Sequence, residues 1–275
     1  MALAAVLQMT SGIDPAANAA AITAAAGQAR TQGAVMLFTP EMSGLLDRDR
    51  QRAKAAIRSE PADPVLAAVR EAAAREGLWI HLGSLAVERE DGRWVNRAFV
   101  IDDTGAIRAR YDKLHMFDVD LASGESWRES NAYAPGDRVV TVETPLGRLG
   151  LSICYDIRFP ALFEALGRAK CDVIAIPAAF TVPTGQAHWH LLQRARAVEA
   201  SAYVICAAQV GRHEDGRQTY GHSLAIDPWG DVLLDMGGAE EGAGPGLGYA
   251  EIDPARIAEV RAQLPSLANR RVLAT

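Results

Sequence analysis

The sequence predicts an α/β fold in which two packed sheets carry helices on their outer faces. Apolar runs alternate with helical stretches along nearly the whole chain, and no low-complexity linker or short-period repeat divides it. A chain of 275 residues can also bury a large core without disulfides, so we expect one domain over residues 1–275. About eleven strands fit two sheets better than one very wide sheet.

Short apolar runs between turn residues predict the strands. In chain order they are Leu3 to Met9, Ala34 to Thr39, Leu78 to Ala86, Trp94 to Ile101, Ile107 to Tyr111, Val139 to Glu143, Leu149 to Cys154, Asp172 to Pro177, Ala202 to Val210, Ser223 to Asp227 and Leu247 to Ile252. The segment Asp227-Pro-Trp-Gly230 separates two short strand patterns, which predicts a hairpin turn.

Asp-Pro pairs predict the start of three helices. Asp14, Asp63 and Asp253 are each followed by proline, so the carboxylate caps free N–H groups and proline takes the first helical position. Three more helices are predicted from their periodicity, at Leu46 to Arg58, Pro160 to Ala169 and Gln186 to Ala200. In the last of these helices, four apolar residues at helical spacing are predicted to face the core: Leu191, Leu192, Ala195 and Val198.

Charge and composition exclude several classes of protein. The 28 basic and 34 acidic residues give a net charge of −6, which disfavours binding to nucleic acid or to an anionic membrane surface. The first basic residue is Arg30, so the amino terminus does not resemble a signal peptide. The uncharged stretch 173–193 contains two prolines and a glycine, so it does not predict a membrane helix.

The cysteines and histidines predict neither a disulfide framework nor a metal site. Three cysteines without C-x-x-C spacing point to a reducing, cytoplasmic compartment. His188 and His190 stand two apart on a predicted helix and therefore point to different sides, which makes them a poor metal pair.

The strongest chemical feature is an apolar strand that reaches Cys154 and enters a helix through a polar turn. Such a turn exposes the side chain, and its free N–H groups favour a developing negative charge. Glu41 and Lys113 also follow predicted strands, so all three lie at the edge where α/β active sites form. Cys171 and Cys206 lack such a turn and are interpreted as structural.

Three segments resemble the signature blocks of the nitrilase superfamily of carbon–nitrogen hydrolases, in order and at similar separations. They are Phe38-Thr-Pro-Glu41, Tyr111-Asp-Lys113-Leu-His and Gly150-Leu-Ser-Ile-Cys154-Tyr-Asp. The resemblance covers nearly the whole chain and is closest to the Nit branch, the deaminated glutathione amidases. Further matching segments are Cys154-Tyr-Asp-Ile-Arg-Phe-Pro160, Ala187-His-Trp189, Arg194-Ala-Arg-Ala-Val-Glu199, Ala207-Ala-Gln-Val-Gly-Arg-His213, Tyr220-Gly-His-Ser223 and Asp227-Pro-Trp-Gly230.

The resemblance implies an α-β-β-α sandwich that pairs into a homodimer or higher homo-oligomer and hydrolyses a small-molecule amide without a metal or organic cofactor. It implies Glu41, Lys113 and Cys154 as a catalytic triad, and Glu129 as a second glutamate beside the lysine. We expect the backbone N–H of Tyr155 to help hold the oxyanion of an acyl transfer through a thioester.

The substrate is less closely specified. Arg158, four residues after the cysteine, favours a substrate carboxylate, and Phe180, Thr181, Arg212 and His213 are expected pocket residues. The branch implies deaminated glutathione, cleaved to 2-oxoglutarate and cysteinylglycine; the alternatives are an ω-amidase acting on 2-oxoglutaramate, an N-carbamoyl amino acid hydrolase, an aliphatic amidase or a non-catalytic binding protein. The loop Met42-Ser-Gly-Leu-Leu-Asp47 departs from the branch, which predicts a different acyl pocket.

Overall fold

A computed structural model describes residues 1–120, 122, 124 and 126–271, and within them the α/β class is confirmed. The strands are β1 (Ala2–Gln8), β2 (Met36–Phe38), β3 (Arg58–Ser59), β4 (Trp79–Glu88), β5 (Trp94–Ile101), β6 (Ile107–Asp112), β7 (Asp118–Asp120), β8 (Ser126–Arg128), β9 (Thr141–Thr144), β10 (Gly147–Leu151), β11 (Val173–Ala175), β12 (Tyr203–Cys206), β13 (Val210–Arg212), β14 (Gln218–Tyr220), β15 (Leu224–Ile226), β16 (Val232–Asp235) and β17 (Gly246–Ile252). The helices are α1 (Pro15–Thr31), α2 (Arg50–Ala56), α3 (Pro64–Glu76), α4 (Pro160–Arg168), α5 (Val182–Ala200) and α6 (Pro254–Gln263).

Two main sheets form the centre of the fold. The first has the order β17-β1-β2-β4-β5-β6, with β3 paired to β4, and the second has the order β16-β15-β12-β11-β10-β9. The middle strands of each sheet run parallel, β1 with β2 and β4, and β10 with β11 and β12. Strand β17, late in the chain, pairs with β1 and so brings the two ends of the sequence into one sheet.

The two sheets pack face to face because residues along each strand alternate between two cores. In β1, Ala4 and Val6 belong to the cluster that includes Leu151 of the second sheet, whereas Ala5 and Leu7 belong to the cluster under α1 and α3. Successive side chains of a strand point to opposite faces, so one face of each sheet packs on the other sheet and the opposite face packs on helices. The expected sandwich of two sheets between helical layers is confirmed.

The capped helix starts are confirmed. The carboxylates of Asp14, Asp63 and Asp253 accept hydrogen bonds from backbone N–H groups of α1, α3 and α6, and proline follows each of them. The hairpin turn is also found, because Gly230 N donates to Asp227 O between β15 and β16.

The predicted apolar stripe of α5 is confirmed only in part, because Leu192 packs against the core but two of its other members do not. Leu191 is 68% exposed and Val198 is 42% exposed, whereas Trp189, Gln193 and Ala197 are buried. The helix also begins at Val182 rather than Gln186, because Pro183 lies in its first turn, where no hydrogen-bond donor is required. The face of α5 that packs on the sheet therefore carries polar groups that find partners there, such as Gln193 with Cys206.

Two other predicted elements are shorter than expected. The segment Ala202 to Val210 is not one strand but two, β12 and β13, because the chain leaves the sheet after Cys206 to form a hairpin. The helix predicted at Leu46 to Arg58 is only α2, which begins after Asp49, whose side chain caps Gln51 N and Arg52 N. The residues before Asp49 form a loop instead.

Two further observations concern the helices and the cysteines. Within the described residues, no helix is both long and apolar enough to cross a bilayer. Cys154, Cys171 and Cys206 are all buried free thiols.

Candidate active site

The carboxyl ends of strands from both sheets meet at one end of the sandwich. Glu41 follows β2, Lys113 directly follows β6, and Cys154 lies three residues after β10. Strands β4, β5 and β6 alternate in direction, so β6 ends at the same edge as β2. The topology therefore brings together three side chains that lie between 41 and 113 residues apart in sequence.

Lys113 binds two carboxylates at once. Its Nζ lies 2.9 Å from Glu41 Oε1, 2.9 Å from Glu129 Oε2 and 3.1 Å from Glu129 Oε1. The side chains of Lys113 and Glu41 are 3% and 6% exposed, so this ammonium and its carboxylates are almost entirely removed from water. Buried charges persist only when they are paired and hydrogen-bonded, as they are here.

Neutral groups fix both carboxylates, and the sequence analysis did not identify them. Asn96 Nδ2 on β5 donates to Glu41 Oε1 at 2.9 Å and to Glu129 Oε1 at 3.2 Å. Ala179 N donates to Glu41 Oε2, and Phe117 N donates to Glu129 Oε2. Asn96 stands in a mainly apolar strand beside Arg97, and an amide within such a strand was the signal available in the sequence.

The turn at Cys154 is held in an unusual backbone conformation. Cys154 has φ of 48°, in the left-handed region that few residues other than glycine adopt, and its N–H donates to Pro177 O. The fully buried Asp156 accepts from Ile153 N, from His115 N and from the Tyr111 hydroxyl. Asp156 therefore ties the cysteine turn to the end of β6, where Lys113 is located.

The pKa shifts at the site indicate which groups carry charge. Burial alone would raise the pKa of Glu41, but Lys113 and the hydrogen bonds from Cys154 and Asn96 lower it below its usual value. The two carboxylates outweigh burial and raise the pKa of Lys113 well above its usual value. Burial, together with the charge of Glu41, raises the pKa of the Cys154 thiol well above its usual value. The resting site therefore holds a neutral thiol beside an ionised glutamate and a protonated lysine.

These residues form part of the wall of a cavity of about 800 Å³. Glu41, Lys113, Glu129 and Cys154 all line it, so the structure brings the four predicted catalytic residues together. No histidine is among the described lining residues, and Glu41 is hydrogen-bonded to the Cys154 thiol. A volume of this size is typical of sites for small organic ligands.

Most of the predicted substrate-contact residues also line this cavity. Tyr155, Phe180 and Thr181 are among them, and the Arg158 guanidinium lies 5.5 Å from the centre of the Phe180 ring and 5.9 Å from that of Tyr155. The nearest hydrogen-bonding partner of this guanidinium within the described chain is His188 Nδ1, at 3.4 Å. Arg158 therefore places a positive charge on the wall of the cavity that Cys154 also lines.

Arg212 and His213 do not line the cavity, so their prediction as pocket residues is corrected. Arg212 ends β13 and His213 begins the turn to β14. Arg212 is exposed to solvent, whereas His213 is buried. The His213 ring instead contacts Ser11 O at 2.9 Å and Thr219 Oγ1 at 2.7 Å. The arginine that this hairpin does supply to the cavity is Arg217, stacked 4.9 Å from the Trp127 ring.

The loop after Glu41 forms another part of the cavity wall. Met42, Leu45, Leu46 and Asp47 all line it. Ser43 anchors the loop, because its hydroxyl contacts Pro40 O at 2.5 Å and Thr39 Oγ1 at 2.9 Å. The segment that departs from the family pattern therefore contributes directly to the shape of the pocket.

Comparisons with known proteins agree with this fold and show the family. A family model described as Carbon-nitrogen hydrolase matches residues 3–262. The chain is 38% identical over 274 residues to the deaminated glutathione amidase of Yersinia enterocolitica, covering 98% of this chain and 93% of that protein.

Two solved structures share the fold closely. The NitFhit protein of C. elegans superimposes with a TM-score of 0.89 and 34% identity, over 98% of this chain and 66% of that longer one. Nit3 of Saccharomyces cerevisiae, described as a member of branch 10 of the nitrilase superfamily, has a TM-score of 0.85 and 25% identity, over 98% and 97% of the two chains.

Proposed function

This chain belongs to the carbon–nitrogen hydrolase family and is an amidase, and we propose that it hydrolyses deaminated glutathione through a thioester on Cys154. The observation that supports the proposal is the convergence of Glu41, Lys113, Glu129 and Cys154 on one wall of the cavity. The name of the Yersinia relative supports the substrate.

In the first half of the proposed reaction, Glu41 takes the proton of the Cys154 thiol while the sulfur attacks the amide carbonyl. The Sγ–H bond breaks, an O–H bond forms on Glu41, and a carbon–sulfur bond forms. The carbonyl oxygen becomes an oxyanion, which the Lys113 ammonium and the Tyr155 N–H stabilise. Glu41 then returns the proton to the leaving nitrogen as the carbon–nitrogen bond breaks, so the amine departs neutral.

In the second half, the same carboxylate acts as a base toward water. Glu41 takes a proton from a water molecule that attacks the thioester, and the carbon–sulfur bond breaks to release the acid. The proton on Glu41 then returns to the Cys154 sulfur, which restores the resting thiol. Glu129 holds Lys113 in place and keeps it protonated through two contacts of 2.9 and 3.1 Å.

The charge of Arg158 supports an acidic acyl group. Its guanidinium lies against two aromatic rings near the nucleophile, and a planar guanidinium suits paired hydrogen bonds to a carboxylate. Deaminated glutathione carries a carboxylate at the far end of its 2-oxoglutaryl group. We assign Arg158 to that carboxylate, with Phe180 and Thr181 lining the same part of the cavity.

The test compares two substrates that share this acyl group. Purified protein is incubated with deaminated glutathione or with 2-oxoglutaramate, and the release of 2-oxoglutarate is followed by a coupled assay with Cys154→Ala as the control. We expect faster release from deaminated glutathione and none from the variant. Preference for 2-oxoglutaramate would replace the proposal with an ω-amidase, and turnover by Cys154→Ala would reject the nucleophile.

We also propose that two copies of the chain pair through the outer face of α5. Leu191 and Val198 on that face are exposed, as are Trp229, Val232 and Leu233 around the β15–β16 hairpin. The two groups adjoin, because Arg194 Nε on α5 donates to Gly230 O in the hairpin turn. Light scattering is expected to show a dimer, and Leu191→Glu is expected to shift it toward monomer. An unchanged dimer in the variant would place the interface elsewhere.

We propose that the protein works in the cytoplasm. Its three cysteines are buried and unpaired, which suits a reducing compartment. Fractionation of cells that express the tagged protein tests the location, and recovery from an oxidising compartment would contradict it.

A further inference from the structure

A second group of reactive side chains lies outside the catalytic cavity. His190 on α5, His222 just before β15 and Asp235 at the end of β16 come together from three separate elements. His190 Nε2 lies 2.9 Å from Asp235 Oδ2, and His222 Nδ1 lies 2.9 Å from Asp235 Oδ1. None of the three lines the cavity at Cys154, so the mechanism does not use them.

We propose that His190, His222 and Asp235 form a binding site for one Zn²⁺ ion. Two imidazole nitrogens and one carboxylate are a ligand set that zinc favours, and three protein ligands leave a fourth position for water. Calcium and magnesium prefer sites built from oxygen atoms, and only one of these three ligands supplies oxygen.

The spacing of the donor atoms suits a tetrahedral ion after small adjustments. The three ligand atoms lie within 4.8 Å of one another. Bonds of about 2.0–2.1 Å to a tetrahedral zinc place ligand atoms about 3.4 Å apart. The two 2.9 Å contacts lengthen slightly when the ion enters, and the two nitrogens move closer. The His190 side chain is 36% exposed and free to make this movement at the surface.

Neighbouring groups already hold the ring of His222 in place. Its backbone N–H donates to Gly237 O and its carbonyl accepts from Trp189 Nε1, so the main chain is fixed on both sides. The Tyr220 ring stacks on the imidazole with the centroids 4.4 Å apart. Glu241 Oε1 lies 3.9 Å from His222 Nε2, the ring nitrogen that does not face Asp235. Zinc-binding histidines commonly donate their second ring N–H to a carboxylate, and Glu241 would have to approach by about 1 Å to accept such a hydrogen bond.

One side of the site is open to solvent and the other is closed. The His222 side chain is 8% exposed, whereas those of His190 and Asp235 are 36% and 34% exposed. An ion can therefore enter from solvent and meet a ligand fixed in the protein. Binding there would tie α5 to β16 and to the loop before β15. Because β15 and β16 belong to the second sheet, the bound ion would link α5 to that sheet. The first turn of α5 also includes Thr184, which lines the catalytic cavity.

The test uses Zn²⁺ alone and a background without the reactive thiol. Cys154→Ala protein is treated with a chelator, dialysed and titrated with ZnCl₂ against a chromophoric competitor. We expect one ion per chain. His190→Ala and Asp235→Asn, each added to this background, are expected to weaken binding at least about tenfold. His188→Ala is the matched control, because His188 lies on the same helix two residues earlier, is exposed and contacts Arg158 instead.

Thermal unfolding supplies an independent measurement. A ligand that binds only the folded state raises its melting temperature. Zn²⁺ is therefore expected to raise the melting temperature of the background and of the His188→Ala protein, but not that of the His190→Ala protein. The proposal is overturned if the background protein binds no Zn²⁺, or if His190→Ala binds it as tightly as the His188→Ala control. Both measurements are independent of substrate turnover.

Discussion

Cys154 and Cys206 occupy comparable places in the fold but have different neighbours. Cys206 ends β12, and Cys154 follows the end of β10, in the same sheet. Both are buried, and burial raises the pKa of both thiols well above the usual value. Cys206 donates to the neutral amide oxygen of Gln193 at 2.7 Å, whereas Cys154 is hydrogen-bonded to the carboxylate of Glu41.

The comparison teaches that thiol acidity does not distinguish the nucleophile from the structural cysteine. What differs is the presence of an ionised base and of a paired ammonium beside the sulfur. His81 is a third case, a titratable group that is buried without any charged neighbour. Burial lowers the pKa of its imidazole to about 3, so the ring remains neutral. In this core, buried groups keep their charge only where an opposite charge accompanies them.

The largest expected difference is between matched substitutions of the two cysteines. Cys154→Ser is expected to lower kcat by about 10⁴-fold, because a hydroxyl is a much weaker nucleophile toward the amide. Cys206→Ser keeps the hydrogen bond to Gln193 and is expected to retain nearly full activity. Steady-state assays on both variants, with circular dichroism as a check on folding, test this. Equal losses in the two variants would contradict the distinction.

Removing the base while keeping the thiol is expected to have the next largest effect. Glu41→Gln preserves the shape of the side chain but cannot accept the thiol proton, so kcat is expected to fall by about 10³-fold. We expect the wild-type kcat to rise with pH as Glu41 becomes ionised, and we expect this rise at acid pH to be absent from the profile of the variant. A variant that retains this rise would show that another group is the base.

Alkylation measures the same difference without any substrate. Iodoacetamide is expected to modify Cys154, which lines the cavity, at least about 100-fold faster than Cys206, which is fully buried. Only the thiolate reacts, and the pKa of Cys154 is raised, so its labelling rate is expected to increase throughout the range from pH 6 to 9. Peptide mapping by mass spectrometry gives both rates. Comparable labelling rates for Cys154 and Cys206 in the folded protein would contradict the proposed difference in their accessibility and reactivity.

The smallest expected effect concerns the buried group that lacks a partner. The pKa of His81 falls from 6.5 in the unfolded chain to about 3 in the folded one, so acid favours unfolding as the unfolded imidazole takes up a proton. This group alone is expected to lower the free energy of unfolding by about 2 kcal/mol between pH 8 and pH 5. Both ring nitrogens lack hydrogen bonds within the described chain, so His81→Leu sacrifices none.

Urea unfolding of the wild-type and His81→Leu proteins at pH 8 and pH 5 measures the contribution of the His81 imidazole to the free energy of unfolding. The loss of stability between pH 8 and pH 5 is expected to be about 2 kcal/mol smaller in the variant. An identical loss in both proteins would show that the imidazole is solvated or paired in the folded state.

The histidines of α5 illustrate a limit of local sequence patterns. The two-residue spacing predicted that His188 and His190 point apart, and the structure agrees, since His188 contacts Arg158 and His190 contacts Asp235. The partners of His190 lie 32 and 45 residues further along the chain. Local spacing excludes a metal pair on one helix, but it says nothing about ligands that a hairpin brings from elsewhere.

Local patterns determined much of this protein. The helix starts at Asp14, Asp63 and Asp253 and the alternating strands follow from backbone preferences and side-chain periodicity, which act over a few residues. The three signature segments are also short and local, and their resemblance to the family is what singled out Glu41, Lys113 and Cys154.

Only the tertiary structure decided the partners of these groups. Asn96 bridges two glutamates, Asp156 ties the cysteine turn to β6, and Arg217 rather than Arg212 reaches the cavity. Leu191 and Val198 of α5 are exposed against the prediction, because periodicity shows that a helix has an apolar face but not which surface will cover it. Hydrogen bonds and burial depend on contacts between residues far apart in the chain, and their geometry exists only once the two sheets have packed.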